Sequence, residues 1–158
     1  MSNAMRVLVV CSGNTCRSPL GAAMLAARLA DDPELQRVEV SSAGTSAWDG
    51  SPASEGSYLV ALERGLDLSN HRARMLTSDL VGRADLILTM SEAHSHRVAD
   101  LGGAEKVHTW GGYAEAPGAP SEVPDPFGGD VSEYRKTADL LAELLDEIVA
   151  RLRREASR

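Results

Sequence analysis

Val7-Leu8-Val9-Val10-Cys11-Ser12-Gly13-Asn14-Thr15-Cys16-Arg17-Ser18-Pro19 is an apolar run that ends in a thiol and passes through one short polar loop into an apparent helix start. A continuous apolar run bounded by a Gly/Asn loop reads as a buried strand. Pro19 ahead of Leu20, Met24, Leu25 and Leu29 reads as the first turn of an amphipathic helix. A tight loop entering a helix points successive main-chain N–H groups into one concavity, and the helix N-terminus adds partial positive charge. An oxyanion is held there without many charged side chains. The same field favours the thiolate of Cys11, its nucleophilic form, while Arg17 offers a planar fork to two phosphate oxygens. Gly13 permits close backbone approach, and Asn14 tolerates the positive φ that a loop curling its N–H groups inward requires. Ser18 can cap the helix or donate to the Cys11 thiolate, and Ser12, Thr15 and Cys16 complete the cradle. Cys11 alone would read as a small core residue. Together, the letters around it answer separate requirements of a single chemistry, nucleophilic attack on phosphate.

Working outward, strand-like and helix-like segments alternate. Strands are predicted over 5–10, 37–42, 85–90 and 106–110, and helices over 18–30, 52–64, 91–100 and 131–154, with Gly65 ending the second helix. This order predicts an α/β three-layer sandwich, a four-stranded mainly parallel sheet with helices on both faces. Ligands of such folds bind beyond the carboxyl ends of the strands, where Cys11 falls. Residues 111–130, rich in Gly, Pro and Ala, form a loop long enough to expect a function. Residues 1–4 read as an expression-tag scar, 5–154 as a single domain and 155–158 as a C-terminal tail.

A formal charge of −7 over 158 residues argues against nucleic acid as a partner, so any phosphate affinity is local. No apolar stretch is long enough to span a bilayer, which predicts a soluble, cytoplasmic protein with no membrane partner. Both cysteines lie in the loop, which excludes a disulfide framework and favours a reducing compartment. The basic cluster Arg151-Leu152-Arg153-Arg154 reads as cations complementing a helix C-terminus.

Thiolate attack on a phosphoryl group expels a poor leaving group, which departs faster when protonated, so a general acid is required. Asp125, followed by Pro126 in the long loop, is the first candidate, with Asp130, Asp85 and Asp49 as alternatives. The chemistry needs no metal or cofactor. Cys16, five residues from Cys11, is either a packing residue or a partner for a protective disulfide.

The loop Cys11 to Pro19, the Ser-Ala-Gly-Thr run at Ser42 to Thr45, Asn70-His71-Arg72-Ala73-Arg74, and Asp125-Pro126 before a final helix together resemble the low-molecular-weight protein-tyrosine phosphatases. The resemblance implies Cys11 as a nucleophile that becomes phosphocysteine, Arg17 as the transition-state clamp, and Asp125 as the acid that later activates water. It also implies a supporting network of Asn14, Ser18, Ser42 and His71, and phosphorylated proteins as substrates. Trp48 matches an aromatic wall for a phosphotyrosine ring, and Phe127 lies in the Asp125-Pro126-Phe127-Gly128-Gly129 stretch. Thr15 and that stretch resemble the family's protein-arginine phosphatase branch, which makes phosphoarginine the alternative to phosphotyrosine. An arsenate reductase would need a further cysteine beyond the loop, which the chain lacks. A phosphate-binding module would need neither Arg17 nor Asp125.

Overall fold

The computed structural model describes residues 4–156. Its centre is a parallel sheet of β1 (Met5–Cys11), β2 (Val38–Gly44), β3 (Leu86–Thr89) and β4 (Val107–Thr109), in the spatial order β2-β1-β3-β4. β1 is central because it is apolar on both faces. Val7, Val9 and Cys11 enter one hydrophobic cluster and Leu8 and Val10 the other, each with at most 2% of its surface exposed. Burial of a side chain of this kind stabilises the fold by about 1.5–3 kcal/mol.

On the first face lie α1 (Arg17–Ala30), α2 (Glu55–Glu63), and three helices from the second half of the chain, α5 (Trp110–Ala114), α6 (Val131–Glu143) and α7 (Leu145–Ala156). Leu20, Met24, Leu25 and Leu29 of α1 are buried, as their spacing predicts. The opposite face is covered by α3 (Ser78–Arg83) and α4 (Glu92–Val98), through Val81 and Val98. The three-layer sandwich is therefore the observed architecture.

Several boundaries move. α2 starts at Glu55 because Ser54 caps it, its hydroxyl accepting from Ser57 N. The helix α3 has no counterpart in the periodic reading, since it is barely more than one turn and buries only Val81. Its signals are the Thr77 cap and the Asp79–Arg83 pair. The fourth strand stops at Thr109, whose hydroxyl caps α5 and accepts from Gly112 N at 3.0 Å. Residues 111–130 are thus not all loop. The predicted last helix is two, divided at Leu144. The apolar spacing of Leu141, Leu144, Leu145, Ile148 and Leu152 runs through the break unchanged, so periodicity is blind to it. The indole N–H of Trp110 donates to the Leu141 carbonyl at 3.3 Å, a side chain entering the helical ladder next to the break. Residues 155–156, assigned to a tail, belong to α7, and Glu155 bonds the Tyr113 hydroxyl. Arg151 packs its guanidinium over the Tyr113 ring at 4.2 Å and pairs with Glu115, and Arg153 pairs with Asp32. Of the predicted tag scar, residues 1–3 lie outside the described residues.

Candidate active site

β1 delivers Cys11 to the carboxyl edge of the sheet, and the chain turns through residues 12–16 into α1. β2 supports the turn from one side. Thr45 N donates to Cys11 O and Ser46 N to Ser12 O, both at 2.9 Å. Gly44 makes that approach possible, because a Cβ there would collide with the Ser12 carbonyl and stand 2.9 Å from Asn14 N. Gly13 is different: an added Cβ meets nothing nearer than Thr15 Oγ1 at 3.5 Å, so packing within the protein does not require glycine there.

Asn14 holds the loop's shape. It is fully buried, has φ of 56°, and uses every polar group of its side chain. Its Oδ1 accepts from the Arg74 main-chain N–H at 3.0 Å, which fixes the orientation of the amide, since a main-chain nitrogen can only donate. Its Nδ2 therefore donates to Ser18 Oγ at 2.7 Å and to Ser42 Oγ at 2.9 Å. With Ser18 Oγ accepting from Asn14, its own hydrogen is free for the Cys11 sulfur at 3.0 Å. The Asn14 carbonyl accepts from His71 Nε2 at 2.6 Å, which assigns the proton to that nitrogen. Burial, ahead of the opposing hydrogen bond to Asn14, lowers the His71 pKa. Ser42 and His71 act from behind the loop and line a separate groove rather than the mouth of the site.

The mouth is a cavity of about 250 Å³ lined by Cys11, Ser12, Gly13, Thr15, Cys16, Arg17, Ser46, Asp125 and Phe127. Arg17 is buried. Its Nη1 donates to the Val123 carbonyl at 3.0 Å, its Nη2 lies 3.7 Å from Asp125 Oδ2, and its Nε is a buried donor without a protein partner. The Nε–Nη2 edge is the side-on fork of the guanidinium, so the edge suited to two oxyanion oxygens is the one the protein leaves least used. Val123 also donates its N–H to the Met90 carbonyl at 2.9 Å, pinning the long loop to the end of β3. Two residues later Asp125 bends back, its Oδ1 accepting from Phe127 N at 3.1 Å. The other carboxylates are placed elsewhere. Asp85 accepts from Arg6 N at the opposite end of the sheet, Asp49 accepts from Met75 N, and Asp130 caps α6.

Cys16 is a buried free thiol, 3.3 Å from Ser54 Oγ and 3.7 Å from Tyr134 OH, and Cys11 is also free. Thr15 lines the cavity, and its carbonyl accepts from Ser54 N. Trp48 is 83% exposed on the polar loop after β2 and is not among the residues that line the cavity, whereas Phe127, 76% exposed, is. Ser46 and His94, both absent from the sequence reading, also reach the loop; His94 Nε2 is 2.8 Å from Ser12 Oγ. The signal for His94 was topological, since a residue following β3 in a parallel sheet emerges at the same edge as Cys11.

The family model described as low molecular weight phosphotyrosine protein phosphatase matches residues 6–158. A protein-arginine-phosphatase of Geobacillus stearothermophilus is 35% identical over 95% of this chain and 97% of its own length. A probable low molecular weight protein-tyrosine-phosphatase of Ralstonia nicotianae is 33% identical over 93% of this chain and 95% of its own. The solved low molecular weight protein tyrosine phosphatase from T. tengcongensis superposes with a TM-score of 0.84 at 35% identity, covering 93% of this chain and 99% of that one.

Proposed function

The chain belongs to the low molecular weight phosphotyrosine protein phosphatase family and is a cysteine-dependent protein phosphatase, and on that premise we propose that it hydrolyses phosphotyrosine in proteins with Cys11, Arg17 and Asp125 as its catalytic residues. The observation that carries this assignment is the meeting of a thiol, a guanidinium with an unpartnered Nε and a carboxylate around one cavity. The Cys11 thiolate, which accepts from Ser18, attacks phosphorus in line with the departing phenolate oxygen. Arg17 and the N–H groups of residues 12–17 hold the three equatorial oxygens as charge builds on them. The P–O bond breaks, and the Asp125 carboxyl gives its proton to the phenolate, leaving phosphocysteine. Asp125 then takes a proton from water, the water oxygen attacks phosphorus, and the S–P bond breaks to return thiolate and release phosphate. Phe127, on the cavity wall, is the aromatic side chain available to the aryl group. No helix among the described residues is long and apolar enough to cross a membrane, and we place the enzyme in the cytoplasm, where its two thiols stay reduced.

A second reading, phosphoarginine as substrate, is favoured by the presence of Thr15 on the cavity wall and by likeness to the Geobacillus relative. A hydroxyl at the mouth suits a polar guanidinium better than an aryl ring. The test is phosphate release from phosphotyrosine and phosphoarginine peptides by the wild type, Thr15→Ile and Cys11→Ser. Preference for phosphotyrosine is expected. Preference for phosphoarginine that Thr15→Ile reverses would select the second reading. Turnover retained by Cys11→Ser would remove the nucleophile, and a wild type inert towards p-nitrophenyl phosphate as well would reduce the chain to a phosphate-binding module.

A further inference from the structure

We propose that His94 is a positioning residue for the phosphate loop: its Nε2–H holds the Ser12 oxygen and turns the Ser12 hydroxyl hydrogen into the cavity as a donor to the bound phosphoryl group. The inference rests on the phosphatase reading and adds a residue from the far side of the sheet's edge to it.

Ser12 lines the cavity, and its Oγ has no polar partner among the described residues other than His94 Nε2, 2.8 Å away and 82 positions along the chain. His94 is 5% exposed, at the start of α4, and its Nδ1 is buried without a partner. The charged groups facing it are Arg17, Asp125 and Glu122. Burial, then the Arg17 charge, lowers its pKa to about 4 against the opposing pull of the two carboxylates, so the ring is neutral at neutral pH. A neutral imidazole carries one N–H and one bare nitrogen. Were Nε2 the acceptor, Nδ1 would be a buried N–H with nowhere to donate. Orphaned buried donors are rarer than orphaned buried acceptors, so the proton sits on Nε2 and the unpaired Nδ1 is the bare acceptor. Ser12 Oγ then accepts from His94 and has its own hydrogen left to place. With the Ser12 carbonyl already occupied by Ser46 N, the free side of the hydroxyl is the cavity. His94 thus makes Ser12 a donor, as Asn14 does for Ser18 at the sulfur.

The test is a double-mutant cycle on Ser12→Ala and His94→Ala, read as kcat/KM for p-nitrophenyl phosphate and as the affinity of inorganic phosphate, measured by titration calorimetry. Each single change should weaken phosphate binding about tenfold, and the double change should be no worse than Ser12→Ala. His94→Gln, whose amide can still donate to Ser12, should recover part of the loss, and in the Ser12→Ala background it should have no effect. That pair decides the matter if His94→Ala fails to fold. Losses that multiply in the double variant, or phosphate affinity in both His94 variants within about twofold of wild type, would overturn the assignment. A wild type that binds phosphate but releases none from the ester would sink the phosphatase reading, while the calorimetric cycle still decides the role of His94.

Discussion

The main-chain N–H of Arg74 donates to Asn14 Oδ1 at 3.0 Å, and that bond sets the direction of hydrogen bonding in the reacting end of the molecule. It orients the Asn14 amide, which orients the Ser18 hydroxyl, which leaves a hydrogen for the Cys11 sulfur.

Asn14→Gly keeps the positive φ and deletes the relay. Ser18 is then free to turn its hydrogen away, and the Arg74 N–H and Ser42 hydroxyl lose their partner. Thermal and denaturant melts should show a loss of about 1–3 kcal/mol, and kcat/KM should fall by more than tenfold. A Gly variant with wild-type kinetics would mean that the relay does not act on the sulfur.

Removing the proton donor at Asp125 should affect poor leaving groups most. With Asp125→Asn, kcat/KM, which covers the reaction only up to departure of the phenolate, should drop about 10²–10⁴-fold on phenyl phosphate, with a smaller drop on p-nitrophenyl phosphate, whose phenolate leaves without help. Equal losses on both esters would point to a different acid.

Gly44 is expected to be intolerant of any side chain. In Gly44→Ala the new methyl meets the Ser12 carbonyl and Asn14 N, two rigid main-chain groups, so the loop itself must move. A cost of about 1–3 kcal/mol in the melt, with kcat/KM falling alongside, is expected. Gly13→Ala should leave the melt nearly unchanged, since no packing opposes it.

Stability should decline with acidification before the carboxylates titrate. His94, His71 and His108 all have pKa values lowered by burial first, His94 to about 4. Below the unfolded value of about 6.5 the unfolded chain takes up protons that the folded one refuses, so stability is complete above that pH. It is lost progressively as the pH falls towards 4. Tm measured from pH 7.5 to 4 should fall, and His94→Gln should flatten the slope. An unchanged slope in that variant would show that His94 does not carry its share.

Some of the site was legible in the sequence because it is contiguous. Cys11, Asn14, Arg17 and Ser18 sit within eight residues, and strand, turn and helix signals there agree. Asp125 was separable from Asp85, Asp49 and Asp130 only as a preference, and of the four the structure brings only Asp125 to the cavity, beside Arg17. Trp48 carried a plausible motif position but no packing constraint, and it stands in solvent. The break at Leu144 was invisible because the apolar period crosses it without a change of phase.

The sequence by itself determined the strand-loop-helix unit, the two buried faces of β1 and the alternation that makes a three-layer sandwich. These are encoded by residue spacing, and spacing is a local property of one chain segment. Tertiary structure alone decided which distant groups meet the loop: Asp125, held through the two Val123 main-chain bonds, His94 against Ser12, and Arg74 against Asn14. Those meetings depend on strand order and on where each loop can find partners for its N–H and C=O groups. Such matches are made across 60 to 110 residues and leave no period in the sequence.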